Sequence, residues 1–546
     1  AADRVPCRAS AGDGGLGRPA RVTQRTSGRT LARAGLIVTA AFLASRILGW
    51  IRLAVIGTTF GAGADLDSFY AAFRIPDFIF QLVAAGALSS ALIPVLAGLH
   101  AHGEDERAWR VASTVANLMM ALLLVLAVLV WLAAPLIVPA ITPGFDQGRI
   151  DRTIELTRVM LASPVFLALG ALATSLLNAR GRFAASAVAP LVYNAAIIGG
   201  AVFLAPTMGV TGLAIGVVAG AIGHVAIQLA PLRSIGFRYH PAIELGDPDA
   251  RSAVLLMVPR AFGLAASQLA FIVATTLASG LAVGSLAAFS IAFNVFQIPF
   301  GVLGVSMGVV ALPALSAELA RGDTARYLDL VTRGLRVVVF VMLPLTAMGM
   351  VLHVQVIQVL FGYGRFDDEA IDRTATALLV LLLALPSESL IAILARAFYA
   401  GRDTTTPVIA AVLAVAINTV VAVATVGSLG LRGVALGIVL GSIAEASFLA
   451  VRLARRVAGF DPLAIVRALV PAGAAALTGA AVSAVVVTVV LGVAGGAGKL
   501  GVAAGLVLAT AAGGLVYLAI GRLLRIGELD AVLALARSAV RSGEPS

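Results

Sequence analysis

Apolar residues run through this chain in long blocks, not in alternation. From residue 36 onward, blocks of roughly 20 or more are separated by short polar connections, and each is long enough to cross a bilayer as a helix. The pattern predicts fourteen spans, near 36–60, 67–98, 109–140, 154–179, 184–206, 209–231, 252–280, 285–318, 328–360, 371–399, 406–427, 430–453, 465–492 and 499–521. Pro76, Pro94, Pro164, Pro299, Pro313 and Pro386 fall inside spans, which predicts kinked helices around a cavity.

The connections alternate in charge. With the N-terminus in the cytoplasm, 28 of the 39 Lys and Arg residues fall on that side and seven on the other. Four more, Arg46, Arg52, Arg74 and Arg260, are assigned to the spans themselves, and basic residues towards a span's end, such as Arg110, Arg158 and Lys499, to the adjacent side. The positive-inside rule then puts both termini in the cytoplasm, as expected of a multi-pass plasma-membrane protein. Trp109 and Trp131 fall near opposite ends of the third span, where interfacial aromatics are expected.

The two halves repeat. "IDRT" occurs at 150–153 and again at 371–374, and "GVTGLAIGVVAG" at 209–220 matches "GLRGVALGIVLG" at 430–441 with the same offset of 221. "LIPVLAGLHAHGED" (92–105) resembles "ALPALSAELARGDT" (311–324), and "SRILG" (45–49) has a weaker counterpart in "PRAFG" (259–263). Six spans per copy return the chain to its starting side, so the copies share one orientation about an axis along the membrane normal. The expected fold is an all-α polytopic membrane protein of fourteen transmembrane helices, two pseudo-symmetric six-helix lobes plus two C-terminal helices. Its expected divisions are a disordered basic cytoplasmic tail (1–34), an N-lobe (35–240), a C-lobe (250–456), a C-terminal pair (464–522) and a second cytoplasmic tail (523–546). This is the plan of a transporter with its substrate site between two lobes.

Composition excludes the soluble reading that 546 residues would otherwise invite. Hydrophobic residues make up 60% and charged residues 12%, and the mean hydropathy is +1.01. The 57 glycines suit helices that approach closely in lipid. The net charge of +11 is dispersed among apolar spans, so no nucleic-acid partner is expected. All but one of the Lys and Arg residues are arginines, the exception being Lys499; GC-rich coding is the simpler cause, with a preference for arginine forks on phosphate the alternative at individual sites. Cys7 is the sole cysteine, which leaves no disulfide framework and no cysteine-based metal site.

Enzyme signals are weak. No H-E-x-x-H occurs, and "GGAGKLG" (495–501) fails as a phosphate loop, with Val493 at the first glycine position and Leu500 in place of Ser/Thr. No cofactor is expected, and any active transport would draw on the membrane potential or a Na+ or H+ gradient.

The intramembrane charges carry the chemistry, because a charge at mid-membrane costs about 2.5–3.5 kcal/mol. On an ideal helix Arg46 and Arg52 lie about 9 Å apart along the axis and about 120° around it, so they can line one broad cavity. Snorkelling to an interface is an alternative, fairer for Arg52 than for Arg46. Arg74, near Asp77, suits either a structural ion pair or anion binding. Asp65 and Asp67 suit a cap on the second span. Arg180 and Arg182 suit topology anchors. Arg260 faces either the inter-lobe cavity or the cytoplasmic headgroups. Glu388 and Glu445 are candidate ion or proton sites, or satisfied contacts between helices. Positive charge in an apolar cavity predicts an anionic substrate, and a lipid with a phosphate head suits a route open to the bilayer.

Several stretches resemble the MurJ/MviN lipid II flippase family, within the multidrug/oligosaccharidyl-lipid/polysaccharide exporter superfamily. They are "SRILGWIR", "FGAGADLDSFYAAFRIPDF" (60–78), "GALSSALIPVL" (86–96), "LNARGRFAASAVAPLVYN" (178–194), "IPFGVLGVSMGVVALPALS" (298–316) and "FYAGRDTTTP" (398–407). The resemblance implies alternating access that carries undecaprenyl-diphosphate-linked peptidoglycan precursor, lipid II, from the inner to the outer leaflet for cell-wall synthesis. It also implies a groove in spans 13 and 14 for the lipid tail, with membrane lipids and cell-wall synthesis proteins as partners. The family's two first-helix cavity arginines fall on Arg46 and Arg52, and its acidic residue before the second helix falls on Asp67. Four positions depart from the family pattern, where Leu53, Phe80, Ala85 and Asn294 replace charged residues. Arg74 or Arg260 is expected to replace part of that charge, and diphosphate binding is assigned to Arg46, Arg52, Arg74 and Arg260. The alternatives are an exporter of another polyprenyl-linked glycan and a drug/cation antiporter of the superfamily. The antiporter would prefer acidic residues in its cavity.

Overall fold

The structure, a computed structural model, describes residues 28–83, 87–493, 498–530 and 532. The side chains of residues 28–39, 42, 87–91, 256 and 258–267 stand outside that description, as do Cys7, Ala85, most of both tails and the first part of the 495–501 stretch. The described residues are helical almost throughout, with no strand among them. Among the described residues, twelve helical stretches are long and apolar enough to cross a membrane. The described parts of the segments expected at 67–98 and 252–280 are helical too, but their described apolar runs are shorter, Leu92–Ala101 and Gln268–Ser279.

The first half comprises α1 (Gly28–Phe60), α2 (Ala64–Val83), α3 (Ala87–Ala101), α4 (Asp105–Ile141), α5 (Gln147–Met160), α6 (Ala162–Ala179), α7 (Phe183–Gly199), α8 (Ala205–Met208) and α9 (Val210–Ser234). The second comprises α10 (Pro248–Ser279), α11 (Ser285–Pro299), α12 (Ser306–Arg321), α13 (Thr324–Phe361), α14 (Asp368–Leu381), α15 (Leu385–Ala400), α16 (Thr405–Leu429) and α17 (Leu431–Arg456). α18 (Pro462–Val493) and α19 (Gly498–Leu523) follow. A π-helical turn, Phe300–Val305, follows Pro299, and a 3-10 turn, Leu382–Ala384, precedes Pro386. Both are irregularities that proline permits inside a membrane helix.

Helix pairings recur at corresponding places. α1 packs on α7 as α10 packs on α16, α7 on α9 as α16 on α17, and α2 on α5 as α11 on α14. The matched glycine motifs explain one of these contacts. Gly209 and Gly430 turn the chain at φ +56° and +54°, a region an L side chain enters only under strain. A Cβ on Gly216 would lie 3.0 Å from Ala196 O, and one on Gly437 only 2.6 Å from Asn418 O, so both pairs cross backbone to backbone.

α18 and α19 join at Gly479 and Gly513 and lie along α13, where Tyr517 donates to Phe340 O at 2.6 Å. Leu132, Leu136, Val310 and Val470 are largely exposed on the outside of the bundle, a surface suited to lipid. Trp109 departs from the interfacial position expected of it. It is 3% exposed, packed against His100 and Phe237, with the Arg180 guanidinium above its ring. Trp131 is exposed as expected, beneath Arg158.

The two halves meet tightly at one end. Arg365 N donates to Thr58 O at 2.9 Å, and Gly144 N reaches Ser279 Oγ at 3.4 Å. Cβ atoms on Gly61, Gly284 or Gly364 would come within 2.6 Å of backbone oxygens from the opposite half. At the other end, the connection between α9 and α10 lies against α4. Asn117 donates to His240 O and Ala242 O, Thr114 Oγ1 accepts from Glu244 N, and Arg107 pairs with Asp247.

Candidate functional site

Between the halves lies a cavity of about 430 Å³. Arg52 of α1, Arg74 and Asp77 of α2, Tyr193 of α7, Gln268 of α10 and Asn294 of α11 reach it. It continues past Arg52 and Asn294 into a pocket of about 350 Å³ that holds Arg46. In the other direction it passes Phe271, Phe293 and Gln297 into a chamber of about 300 Å³ lined by Glu388 and Glu445. A polar tract therefore crosses the molecule, basic in the first half and acidic in the second.

Local structure explains each placement. α1 presents Arg46 and Arg52 on the side facing α11, where Gly301 of the π-helical turn makes room. A Cβ there would stand 3.0 Å from Arg46 Nη1. Wider π turns in membrane helices are frequent at functional positions. Arg74 is half-buried, with its guanidinium 4.9 Å from the Phe271 ring centroid and its buried Nε without a partner in the protein. Gln81 and Gln268 lie within hydrogen-bonding reach of Asp77. Asn294 donates to Ser290 O at 2.7 Å and keeps its amide oxygen free for the cavity.

Asp67 sits elsewhere. It lies at the tied end, 2% exposed, and its carboxylate accepts from Gly284 N at 2.7 Å and Ala287 N at 2.8 Å. The expected cap on the second span is thus a cap on α11, supplied across the two halves. It satisfies amides that the N-cap glycine, Gly284, has no side chain to meet. Arg149 approaches the same carboxylate at 4.0 Å. Arg180 pairs with Asp105 at 2.7 Å, outside the cavity. Arg260 lies in α10, but its side chain falls outside the described residues. Among the departures from the family pattern, Leu53 and Asn294 line the tract, whereas Phe80 packs into the apolar cluster around Leu92 and Trp109.

Two features escaped sequence reasoning. Arg396 lines a pocket with Glu388 and Tyr399, beyond the acidic chamber. More telling, the cavity wall is written twice. "FYAAFRIPD" (69–77) and "FSIAFNVFQ" (289–297) align at an offset of 220, and Phe69, Tyr70, Phe73, Arg74 and Asp77 face Phe289, Ser290, Phe293, Asn294 and Gln297 across the cavity. The signal was present in the repeat, but differing residues at the polar positions hid it.

Membrane-length helices around an inter-half polar tract, tied shut at one end, define a helical membrane transporter. The lipid II flippase MurJ family profile matches residues 56–519, and the chain belongs to that family. The lipid II flippase MurJ of Burkholderia cenocepacia is 31% identical over 437 residues, 78% of this chain and 84% of that one. The probable lipid II flippase MurJ of Rhizobium tropici is 32% identical over 78% and 81% of the two chains. A solved lipid II flippase MurJ in an inward closed conformation superposes with a TM-score of 0.73 at 23% identity, covering 90% of this chain and 98% of that one. An inward-facing multidrug resistance MATE family transporter shares the fold at a TM-score of 0.64 and 17% identity, over 76% and 94% of the two chains.

Proposed function

We propose that this chain moves lipid II from the inner to the outer leaflet of the bacterial plasma membrane by alternating access. One observation carries the reading. Arg46 and Arg52 open into a tract between the halves whose nearest neighbours are amides and apolar side chains, an arrangement that suits a diphosphate. Arg74 supplies a third positive charge to the same tract, in place of the arginines that Phe80 and Asn294 lack. Arg260 is assigned to the same role.

On this reading fourteen helices span the membrane, in an N-lobe (35–240) and a C-lobe (250–456). α18 and α19 carry the groove for the polyprenyl tail. Both termini are cytoplasmic, so the tied end faces outward and the cavity is in an inward state. Glu388 and Glu445 form the site for a coupling ion or proton, with Na+, H+ or the membrane potential as the driving force. Asp67 secures the outer closure and does not touch substrate. Cell-wall synthesis proteins are the expected partners.

The test is rescue of a cell depleted of its own flippase, with lipid II exposure on the outer leaflet as the readout. The wild-type chain restores exposure, and Arg46→Ala and Arg52→Ala do not. Full rescue by Arg46→Ala would remove the arginines from the mechanism. Drug efflux without rescue would favour an antiporter.

A further inference from the structure

Charge explains the Arg46 end of the tract but not the central cavity. There the described side chains of the second half contribute no ionised group. Asn294 and Gln297 stand where the first half has Arg74 and Asp77, and both present exposed amides to the cavity. Phe271 and Phe293, edge to face at 4.6 Å, form a wall beside them. Ser290 is 4% exposed, and neither its Oγ nor the Tyr70 Oη finds a partner within the protein. A buried hydroxyl left unpaired costs about 1–3 kcal/mol. Two of them at corresponding places in the two facing walls of the cavity point to a ligand that supplies the missing bonds.

Aromatic faces, planar amides and spare hydroxyls, with no charge on one side, match a neutral polyhydroxyl compound. Amides both donate and accept, as sugar hydroxyls do, and an aromatic ring covers the apolar C–H face of a pyranose. The cavity lies within the roughly 300–1,000 Å³ of small-molecule sites. It adjoins the arginine pocket through Arg52, Asn294 and Gln297. We propose that the cradle formed by Phe293, Asn294 and Gln297 of α11, facing Tyr70 and Arg74 of α2, binds the glycan of a lipid-linked substrate. The diphosphate then lies beside it on Arg46 and Arg52. This inference rests on the flippase reading and adds to it the residues that would recognise the sugar.

The experiment compares two ligands on the full chain in lipid nanodiscs, a polyprenyl diphosphate bearing a glycan and the same polyprenyl diphosphate without one. Wild type binds the glycan-bearing lipid more tightly. Gln297→Met, which keeps the side-chain length and loses the amide, weakens that lipid about tenfold and leaves the bare lipid within twofold. Tyr70→Phe and Phe293→Leu each weaken the glycan-bearing lipid about fivefold, again without touching the bare one. Bare-lipid affinity thus reports that each variant is folded. Equal affinity of wild type for the two lipids overturns the proposal, as does equal weakening of both lipids by all three variants. Arg46→Ala behaves oppositely, weakening both lipids alike. Binding of neither lipid by wild type removes the flippase reading itself, and the glycan site with it.

Discussion

The two walls of the cavity share a frame and differ in charge. α2 and α11 both place phenylalanines at the first and fifth positions of the aligned stretch, Phe69 and Phe73 against Phe289 and Phe293. Between them, Arg74 is answered by Asn294 and Asp77 by Gln297, each an ionised group exchanged for a neutral amide. Shape is set by the aromatic residues and is retained, whereas polarity is set by three positions and is not. A site built this way treats its two sides unequally, so a ligand with one ionic and one neutral part enters it in a single orientation. A symmetric pair of walls would bind such a ligand either way round.

That comparison holds only while the walls face each other in register, and the tied end keeps them so. The most damaging change expected is Gly284→Ala. Gly284 sits at φ +89°, and a Cβ there would meet Ala62 O at 1.9 Å. The substitution combines left-handed strain with backbone overlap and should cost about 4 kcal/mol. Thermal unfolding in detergent would show it, and the accessibility of a cysteine introduced at the tied end would rise. An unchanged midpoint and unchanged accessibility would mean that α11 is held by something else. Asp67→Ala comes next. It leaves the Gly284 and Ala287 amides buried and unpaired, at a cost of about 3 kcal/mol, while Asp67→Asn keeps one carbonyl acceptor and loses about half as much. If Ala and Asn proved equally stable, the cap would not be the role of this carboxylate.

The asymmetry itself can be erased. Arg74→Asn combined with Asp77→Gln gives α2 the two amides of α11 in place of its charges. The double variant should fold, since its two charges leave the interior together, and should lose about tenfold in affinity for a polyprenyl diphosphate. Binding measured by tryptophan quenching or calorimetry decides it. Wild-type affinity in this variant would place the whole anion site at Arg46 and Arg52.

Much of the scaffold was legible from residues alone, because hydropathy in lipid is a strong constraint on helices and a sequence repeat is a direct record of duplicated packing. The Gly209 and Gly430 turns and the Gly216 and Gly437 crossings follow from the matched motifs. The arginines of α1 were legible for the same reason, since charge in an apolar run is conspicuous. Asp67 was half legible. Its helix-capping chemistry was evident, but the helix it caps lies over 200 residues away, and no local pattern names it. Trp109 misled because its place at the end of a span suggests lipid, while three residues from other segments enclose it. Asn294 drew notice only as a missing charge, and Gln297 drew none, since an amide stands out in a membrane helix only when its counterpart across the cavity is known.

The smallest effect concerns the connection between the two compared halves. Arg107 of α4 donates to Asp247 through Nε at 2.8 Å and to Asp249 at 2.7 Å, fixing the connection beside the start of α10. The hydrogen bond from Arg107 holds the Asp247 carboxyl below its ordinary value of 3.8. A carboxylate whose folded value is depressed contributes stability that is complete at neutral pH and down to that ordinary value. The contribution is lost as pH falls further, through the folded value. Because Arg107 is about a third exposed, solvent screens the pair and its contribution should be small. Wild type and Asp247→Asn should therefore differ slightly in thermal midpoint at pH 7 and converge below pH 3.8. Divergence that grew on acidification would reverse the sign, and would mean that the connection is held by its backbone bonds to Ser113, Thr114 and Asn117 while the carboxylate is a burden on it.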